Sequence, residues 1–356
     1  MKFYCGIDLG ARKTHVYLID EEDHKLLDMK MDNNLGVIEA ALRPYKSSLE
    51  VVAESTINWE WLVYGLQKHG YEVKLAHTLG LKAITWSKKK TDTWDAFTLA
   101  KLLRGRLIPE AYIYPYELRP VRDLVRERIR LVTKRATEYG AISRTLLKYN
   151  IQGVDRNAVK HLSEKDMHEL YQHPFVRTKA TMELQRIELL TEQIRHIEKA
   201  VFARAQQDTL FSLLQTIPGI GDILALTILY EVGDIDRFAH TRAFCSYCRV
   251  VPGIHQSSGR SYRSPNSKQG NRYLKWSFSQ AAVMAIRFYP QIRRLYDRLA
   301  AKRKKAAGLV ARSIIAHKLA QAAFHVMKHQ VAYKQELLFR FSKETMLQGK
   351  AVTPSE

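Results

Sequence analysis

Cysteine is nearly missing from this chain: Cys5, Cys245 and Cys248 are the only three in 356 residues. So low and odd a count excludes a disulfide framework as the basis of the fold. Cys245 and Cys248 form a C-x-x-C, but no second pair completes a zinc site, so the spacing reads as two small core residues on a helix. No run of about 18 apolar residues exists either, which excludes a membrane span of the usual kind. The N-terminus, interrupted by Asp8, lacks a signal-peptide pattern. The cytoplasm is the expected location, with no membrane partner. Acidic residues are scarce in one part of the chain. Residues 237–356 hold 23 Lys and Arg against 4 Asp and Glu, whereas residues 1–110 hold 16 against 15. The total charge of +21 therefore sits almost wholly in the last third. Cations gathered there predict a polyanionic partner, and interleaved aromatics (Tyr262, Tyr273, Trp276) favour nucleic acid over a membrane surface.

The first hundred residues pattern as α/β. "FYCGID", "THVYLID" and "KLLDMKMD" alternate with period two and are separated by polar turns, which predicts a three-strand meander. A helix over about 34–46 follows. "LEVVAEST" reads as a buried strand ending on Glu54, and "NWEWLVYGLQKHG" as a helix stopped by Gly70. A strand at 71–77, a short helix and an amphipathic helix at 91–107 complete the order βββαβαβα, that of an RNase H-like mixed sheet with flanking helices. Residues 116–206 carry long charged amphipathic segments, expected as a helical hairpin or coiled coil. "LQTIPGIGDILALTIL" resembles a helix-hairpin-helix turn; a tight helix connection explains it equally well. Residues 257–276 read as polar, flexible and basic. Helices are expected at about 272–288, 291–303, 309–328 and 330–346.

"GIDLGARKTHVYLID" poses the functional question. A strand, a Gly-containing turn and a second strand with Asp8 at the mouth serve either phosphate-wrapping ATPases of the actin type or metal-dependent nucleases of the RNase H type. The ATPase reading needs a second phosphate turn and an adenosine motif, and neither is visible. The nuclease reading needs carboxylates on adjacent strands and on a helix packed against them, because Mg²⁺ is a hard cation that takes oxygen ligands. Asp8 lies on the first strand, Glu54 closes a later buried strand, and Asp92 and Asp95 stand at i and i+3 on a helix start. Each has a plainer use: Asp8 as a turn former, Asp92 and Asp95 as first-turn acids favoured by the helix dipole. Together, in this order, they favour the metal reading.

"GIDLG", "VVAEST" and "KTDTWDA", followed by "TIPGIG", "RFAHTRAFCSYCRVVPG" and "SKQGNRYLKW", resemble in order the DEDD transposases of the insertion sequence 110 family, the Piv/MooV-type recombinases. The resemblance covers roughly 2–110 and 210–290. It implies a RuvC-like catalytic domain over 1–110, a helical coiled-coil linker or dimerisation region over 111–208, and a mainly helical transposase domain over 209–350. Its four acids fall on Asp8, Glu54, Asp92 and Asp95, as ligands for Mg²⁺ or Mn²⁺. Its serine nucleophile, counted from Pro252, falls on Ser257, with Ser258 the adjacent alternative. Arg260, Arg263, Lys268 and Arg272 become candidate phosphate clamps, with a solvated basic face as the plainer account of each. The family commonly has a Gly–Leu pair just before the Pro, where this chain reads "CRVVP".

The implied chemistry is excision and integration of an insertion sequence through a covalent serine–DNA phosphodiester. A serine hydroxyl is a poor nucleophile at neutral pH and needs activation, which a composite site of metals and serine would supply. The implied partners are double-stranded DNA at the element ends and target, a guide non-coding RNA from the element, and further copies of the chain in a homodimer or homotetramer. Two other readings remain open. A metal-only, RuvC-like junction resolvase would not need the serine, and a nucleic-acid-binding protein with a decayed site would cleave nothing.

Overall fold

A computed structural model describes residues 1–84, 92–155, 157–251, 253–257, 260–264, 269–301 and 306–334, with the backbone alone described for 253–257 and 260–264. The chain divides into two compact units, Met1–Tyr116 and Glu117–Glu356.

The first unit opens with an antiparallel meander, β1 (Phe3–Leu9), β2 (Lys13–Asp20) and β3 (Lys25–Asp32). Helix α1 (Leu35–Leu42) leads to β4 (Leu49–Glu54), then α2 (Glu60–Lys68), β5 (Glu72–Ala76), α3 (Thr78–Ile84) and α4 (Asp92–Arg104). The sheet runs β3-β2-β1-β4-β5, with β4 parallel to β1 and β5 parallel to β4. The predicted order is present. The helix expected over 34–46 stops at Leu42, however, and continues as a 3₁₀ turn over Arg43–Ser48, because Pro44 has no N–H for the α-helical ladder.

Strand alternation divides the core in two. Cys5, Ile7 and Leu9 of β1 pack with Val51 and Ala53 of β4 and with Ile38, Leu62 and Leu66 from α1 and α2. Tyr4, Ile19 and Val52 face the other way, against Leu99, Ala100 and Leu103 of α4. Both faces are covered, so the central strands can be apolar almost throughout. The outer strand β3 is largely exposed, and its Lys25, Asp28, Lys30 and Asp32 put charge on the edge of the sheet.

The second unit is nearly all helix. An antiparallel pair, α5 (Arg119–Lys148) and α7 (Pro174–Ala205), has α6 (Glu164–Leu170) in its connection. Arg128 bonds Glu198 and Arg186 bonds Glu138 across the pair, at 2.8 and 2.9 Å. At one end Ile142, Leu146, Ala180 and Leu184 close on Met167 and Tyr171. At the other end Val125, Leu131, Ile194 and Val201 join the core of the remaining helices. Those are α8 (Thr209–Gln215), α9 (Asp222–Val232), α10 (Thr241–Tyr247), α11 (Arg272–Phe288), α12 (Pro290–Ala301) and α13 (Ala307–His329).

The stretch expected to be flexible from 257 onward instead begins inside a β-hairpin, β6 (Gly253–Ser257) and β7 (Arg260–Ser264), paired from Gly253↔Ser264 to Ser257↔Arg260. Backbone pairing supplies order that the polar side chains did not advertise. The helix expected over 330–346 does not start within the described residues: α13 ends at His329, Val331–Lys334 are not helical, and the rest lies outside them. Among the described residues no helix is long and apolar enough to cross a membrane.

Candidate active site

The parallel register of β1 on β4 runs to Ile7↔Ala53. The next residue on each strand is a carboxylate, so Asp8 and Glu54 are neighbours at the same end of adjacent strands, both half-buried. By alternation they share a sheet face with Gly6 and Val52, the face covered by α4. The approach of α4 depends on Gly6. A Cβ there would lie 2.1 Å from the Ala96 carbonyl oxygen and 2.5 Å from the Ala100 amide nitrogen. Only a residue without a Cβ lets the helix descend so far. Tyr4, two residues back along β1, packs with Leu99, Ala100 and Leu103, so α4 runs antiparallel to the strand. Its first turn therefore carries Asp92 and Asp95 toward the strand end that bears Asp8. Two contacts hold this alignment. The Tyr17 and Phe97 rings meet edge to face at 5.2 Å, and Arg104 Nη1 donates to the Glu21 carbonyl at 2.9 Å.

The expected quartet is thus gathered at one end of one face. Its electrostatics show a group the sequence did not reveal. Lys30 Nζ on β3 donates to Asp92 Oδ2 at 2.6 Å, and that hydrogen bond, then the ammonium charge, holds the Asp92 carboxyl below the usual range. His15, opposite Asp8 on β2 and opposite Lys30 on β3, acts in the same direction more weakly. Strand order placed these side chains beside the acids, and no spacing along the chain could have signalled it.

Four carboxylates from two strands and one helix start are the donor chemistry a hard divalent cation takes. Among the described residues no three His, Cys, Asp or Glu side chains converge to cation-holding distance. In this arrangement the Lys30 ammonium occupies the Asp92 carboxylate. The donor types of Asp8, Glu54, Asp92 and Asp95 fit a divalent cation, whereas the side chains as placed do not converge on one.

In the second unit, Ser257 is the last residue of β6, across from Arg260, while Arg263 pairs with Ile254. Their side chains, and all of Ser258 and Lys268, lie outside the described residues. Arg272 opens α11 on the surface. Its guanidinium stacks 4.8 Å from the Tyr273 ring, and Nη2 donates to the Tyr273 hydroxyl at 2.8 Å.

The base of the serine-bearing segment is tied. The Asn271 amide donates to the Tyr247 carbonyl at 2.7 Å, closing residues 248–270 into a loop. Gly270 sits at φ +94°, where a Cβ would lie 2.5 Å from that same carbonyl. Asn271 then caps α11, its Oδ1 accepting from the Tyr273 and Leu274 amides. Its Nδ2 donates to Glu231 Oε2 at 2.6 Å. Glu231, 1 % exposed, takes a bidentate bond from Arg126 of α5 at 2.6 and 2.8 Å. Arg126 and Glu231 gave no signal in sequence, since each looks like one more helix charge.

The remaining motifs resolve structurally. Cys245 and Cys248 are free and buried, and burial pushes the Cys245 thiol up to about 12 and that of Cys248 well up also, which makes both inert. Gly219 of the "PGIG" turn has φ +81°, and a Cβ would lie 2.3 Å from the Ala281 carbonyl, so packing on α11 accounts for it. The first residue of the helix beyond, Asp222, puts a carboxylate where a phosphate would dock.

Comparison with known proteins places this arrangement. Residues 5–151 match a DEDD transposase family model and residues 211–297 match the transposase IS116/IS110/IS902 family. The chain belongs to this transposase family. The transposase is 26 % identical over 325 residues to the transposase for insertion sequence element IS1328 of Yersinia enterocolitica, covering 90 % of this chain and 95 % of that one. It is also 24 % identical over 315 residues to the pilin gene-inverting protein of Moraxella lacunata, covering 85 % and 89 %. A probable family 20 transposase of Pseudomonas aeruginosa is 23 % identical over 79 % of this chain and 83 % of its own. In this transposase the first family model spans all four carboxylates, and the second spans Ser257 and the four candidate clamp residues.

Proposed function

We propose that this transposase excises and integrates an insertion sequence through a serine–DNA covalent intermediate, with Asp8, Glu54, Asp92 and Asp95 binding Mg²⁺ or Mn²⁺ in a RuvC-like domain. The observation that carries the reading is the register. Asp8 and Glu54 stand one step beyond Ile7↔Ala53, under a helix whose first turn bears the other two acids. A divalent cation held by Asp8, Glu54, Asp92 and Asp95 would offset their negative charge and would supply polarisation of the phosphodiester. The serine oxygen of Ser257 forms a bond to phosphorus as one P–O bond of the DNA backbone breaks. The freed strand end carries away a hydroxyl. Rejoining exchanges the serine for a new strand end, so the number of phosphoester bonds is conserved and no energy source is consumed. Arg260, Arg263, Lys268 and Arg272 hold phosphates in this reading. An element-encoded RNA that pairs with donor and target DNA would relieve the protein of base readout, in keeping with a diffuse cationic excess in the last third of the chain. Homodimers paired into a tetramer would hold two DNA partners together.

The test is an adduct assay. The protein is mixed with Mg²⁺, RNA transcribed from the element's flank, and DNA spanning the element junction, then denatured and mapped by mass spectrometry. The expected result is an adduct on Ser257 that is lost in both Ser257→Ala and Asp8→Asn. An adduct on Ser258 would move the nucleophile by one residue. Cleavage without any adduct would replace this reading with the metal-only nuclease.

A further inference from the structure

The end of the α5–α7 pair that closes on Met167 and Tyr171 holds a cavity that the chemistry proposed above does not use. It measures about 300 Å³ and lies where α5 ends at Lys148 and α7 begins at Pro174. The rings of Tyr149, His173 and Phe175 line it. Phe175 is 80 % exposed and Tyr149 48 %, so neither belongs to the core. Both are nonetheless held in place. Tyr149 meets the buried Tyr171 ring edge to face at 6.4 Å, and Phe175 meets the His173 ring at 5.7 Å, tilted by 48°. Lys148 and Lys179 share the lining, and none of the described residues there is acidic. Lys179 Nζ donates to Thr145 Oγ1 at 3.1 Å and pairs with Glu183, a buried carboxylate that does not itself line the cavity. That ammonium is thereby fixed, while Lys148 stands exposed.

Scattered apolar residues are ordinary on a protein surface, but fixed rings and cations in one concave place are a recognition chemistry. The rings offer faces to a flat π-system, and the ammonium groups offer donors to phosphate oxygens. A nucleic acid with an unpaired base carries both, a nucleotide apart. Duplex DNA keeps its bases paired and stacked, so it has only backbone to present here. RNA loops and bulges splay bases out, and aromatic side chains take them by stacking. Tyr149 and His173 also bring hydrogen-bonding groups that a ribose 2′-hydroxyl can use.

We propose that this cavity binds an unpaired base of single-stranded RNA, which stacks on Phe175 and Tyr149 while Lys148 and Lys179 hold the flanking phosphates. The inference rests on the function proposed above only in making RNA a partner, and it adds a place on the protein that receives it. Stacking of this kind accepts any base, so the site anchors a loop without selecting its sequence.

The test uses the full-length protein and a short single-stranded RNA carrying 5-iodouridine, with excess duplex DNA present to occupy the cationic last third. Ultraviolet light joins the iodinated base to a ring stacked on it, and mass spectrometry maps the link. The expected result is a crosslink at Phe175 or Tyr149. The dissociation constant for this RNA should rise about tenfold in Phe175→Ala and recover in Phe175→Trp, which restores a ring face. Leu147→Ala removes a side chain that is equally exposed, at 79 %, but does not line the cavity, and it should bind as the wild type does. Crosslinks found only elsewhere, or a Phe175→Ala variant that binds as the wild type does, overturn the proposal. Single-stranded DNA of the same sequence binding at least as tightly as the RNA overturns the commitment to RNA. A dimer that dissociates in Phe175→Ala, read by sedimentation, assigns the cavity to contact between copies and overturns it equally. Wild-type protein that binds duplex DNA but no RNA defeats the guide-RNA part of the proposed function together with this inference. RNA bound away from the cavity defeats this inference alone.

Discussion

Arg249 shows how much a single backbone angle can explain. It follows the last turn of α10 with φ +58°, the left-handed region that L residues with a Cβ enter at a cost of about 1–2 kcal/mol. The strained residue lies within "CRVVP", the stretch that departs from the Gly–Leu pair expected just before the Pro from the family resemblance. Arg249 also leaves its Nε buried without a partner. A glycine would remove both penalties and add about 0.5–1 kcal/mol of unfolded-state entropy against itself. The left-handed penalty outweighs that entropy. Arg249→Gly is expected to raise stability by about 0.5–1 kcal/mol, read as a higher denaturation midpoint in urea with an unchanged slope. A lower midpoint would mean that the Arg249 stem, packed near Gly270, contributes more than its strain costs.

At the scale of elements, two packing events position the chemistry. The first is α4 on β1, which only Gly6 permits. The sequence displayed "YCGID" openly but gave no means of knowing that the glycine answered to a helix ninety residues later. The second is the tie among α5, α9 and α11 through Arg126, Glu231 and Asn271. Breaking a buried ion pair by removing one partner typically costs about 3–5 kcal/mol. Arg126 is a third exposed and can regain water, so the lower end applies. Glu231→Ala is expected to destabilise the protein by about 3 kcal/mol, and Glu231→Gln by less, because Gln keeps one oxygen for Arg126 or Asn271. Denaturation midpoints of the two variants test the order. A Gln variant as unstable as Ala would show that the charge matters more than the hydrogen bonds. The Ala variant is also expected to lower the yield of serine adduct, since Asn271 closes the loop that carries Ser257.

Across the whole molecule the dominant fact is charge. Nineteen of the twenty-one net positive charges fall within residues 237–356. Binding to duplex DNA of arbitrary sequence should therefore be driven by counterion release, and should weaken by about 10³-fold or more between roughly 50 and 200 mM salt, as for six or more phosphate contacts. Fluorescence anisotropy of a labelled duplex measures this directly. A flat salt response would mean that these cations are engaged within the protein, and the nucleic-acid reading of the basic third would fall.

The sequence by itself determined the order of elements in the first unit, which four acids are proposed for the site, and the burial of the two C-x-x-C cysteines. Each is a local matter, set by alternation, by turn residues and by residue type. It missed the β6–β7 hairpin, because backbone pairing there runs beneath polar side chains that read as loop. It missed His15, Lys30, Arg126 and Glu231 altogether. Only the tertiary structure decided those, since strand register brings Asp8 opposite His15 and Lys30 within reach of Asp92, sixty-two residues along the chain. Register and helix docking are properties of how the pieces meet, and no single stretch of sequence contains them.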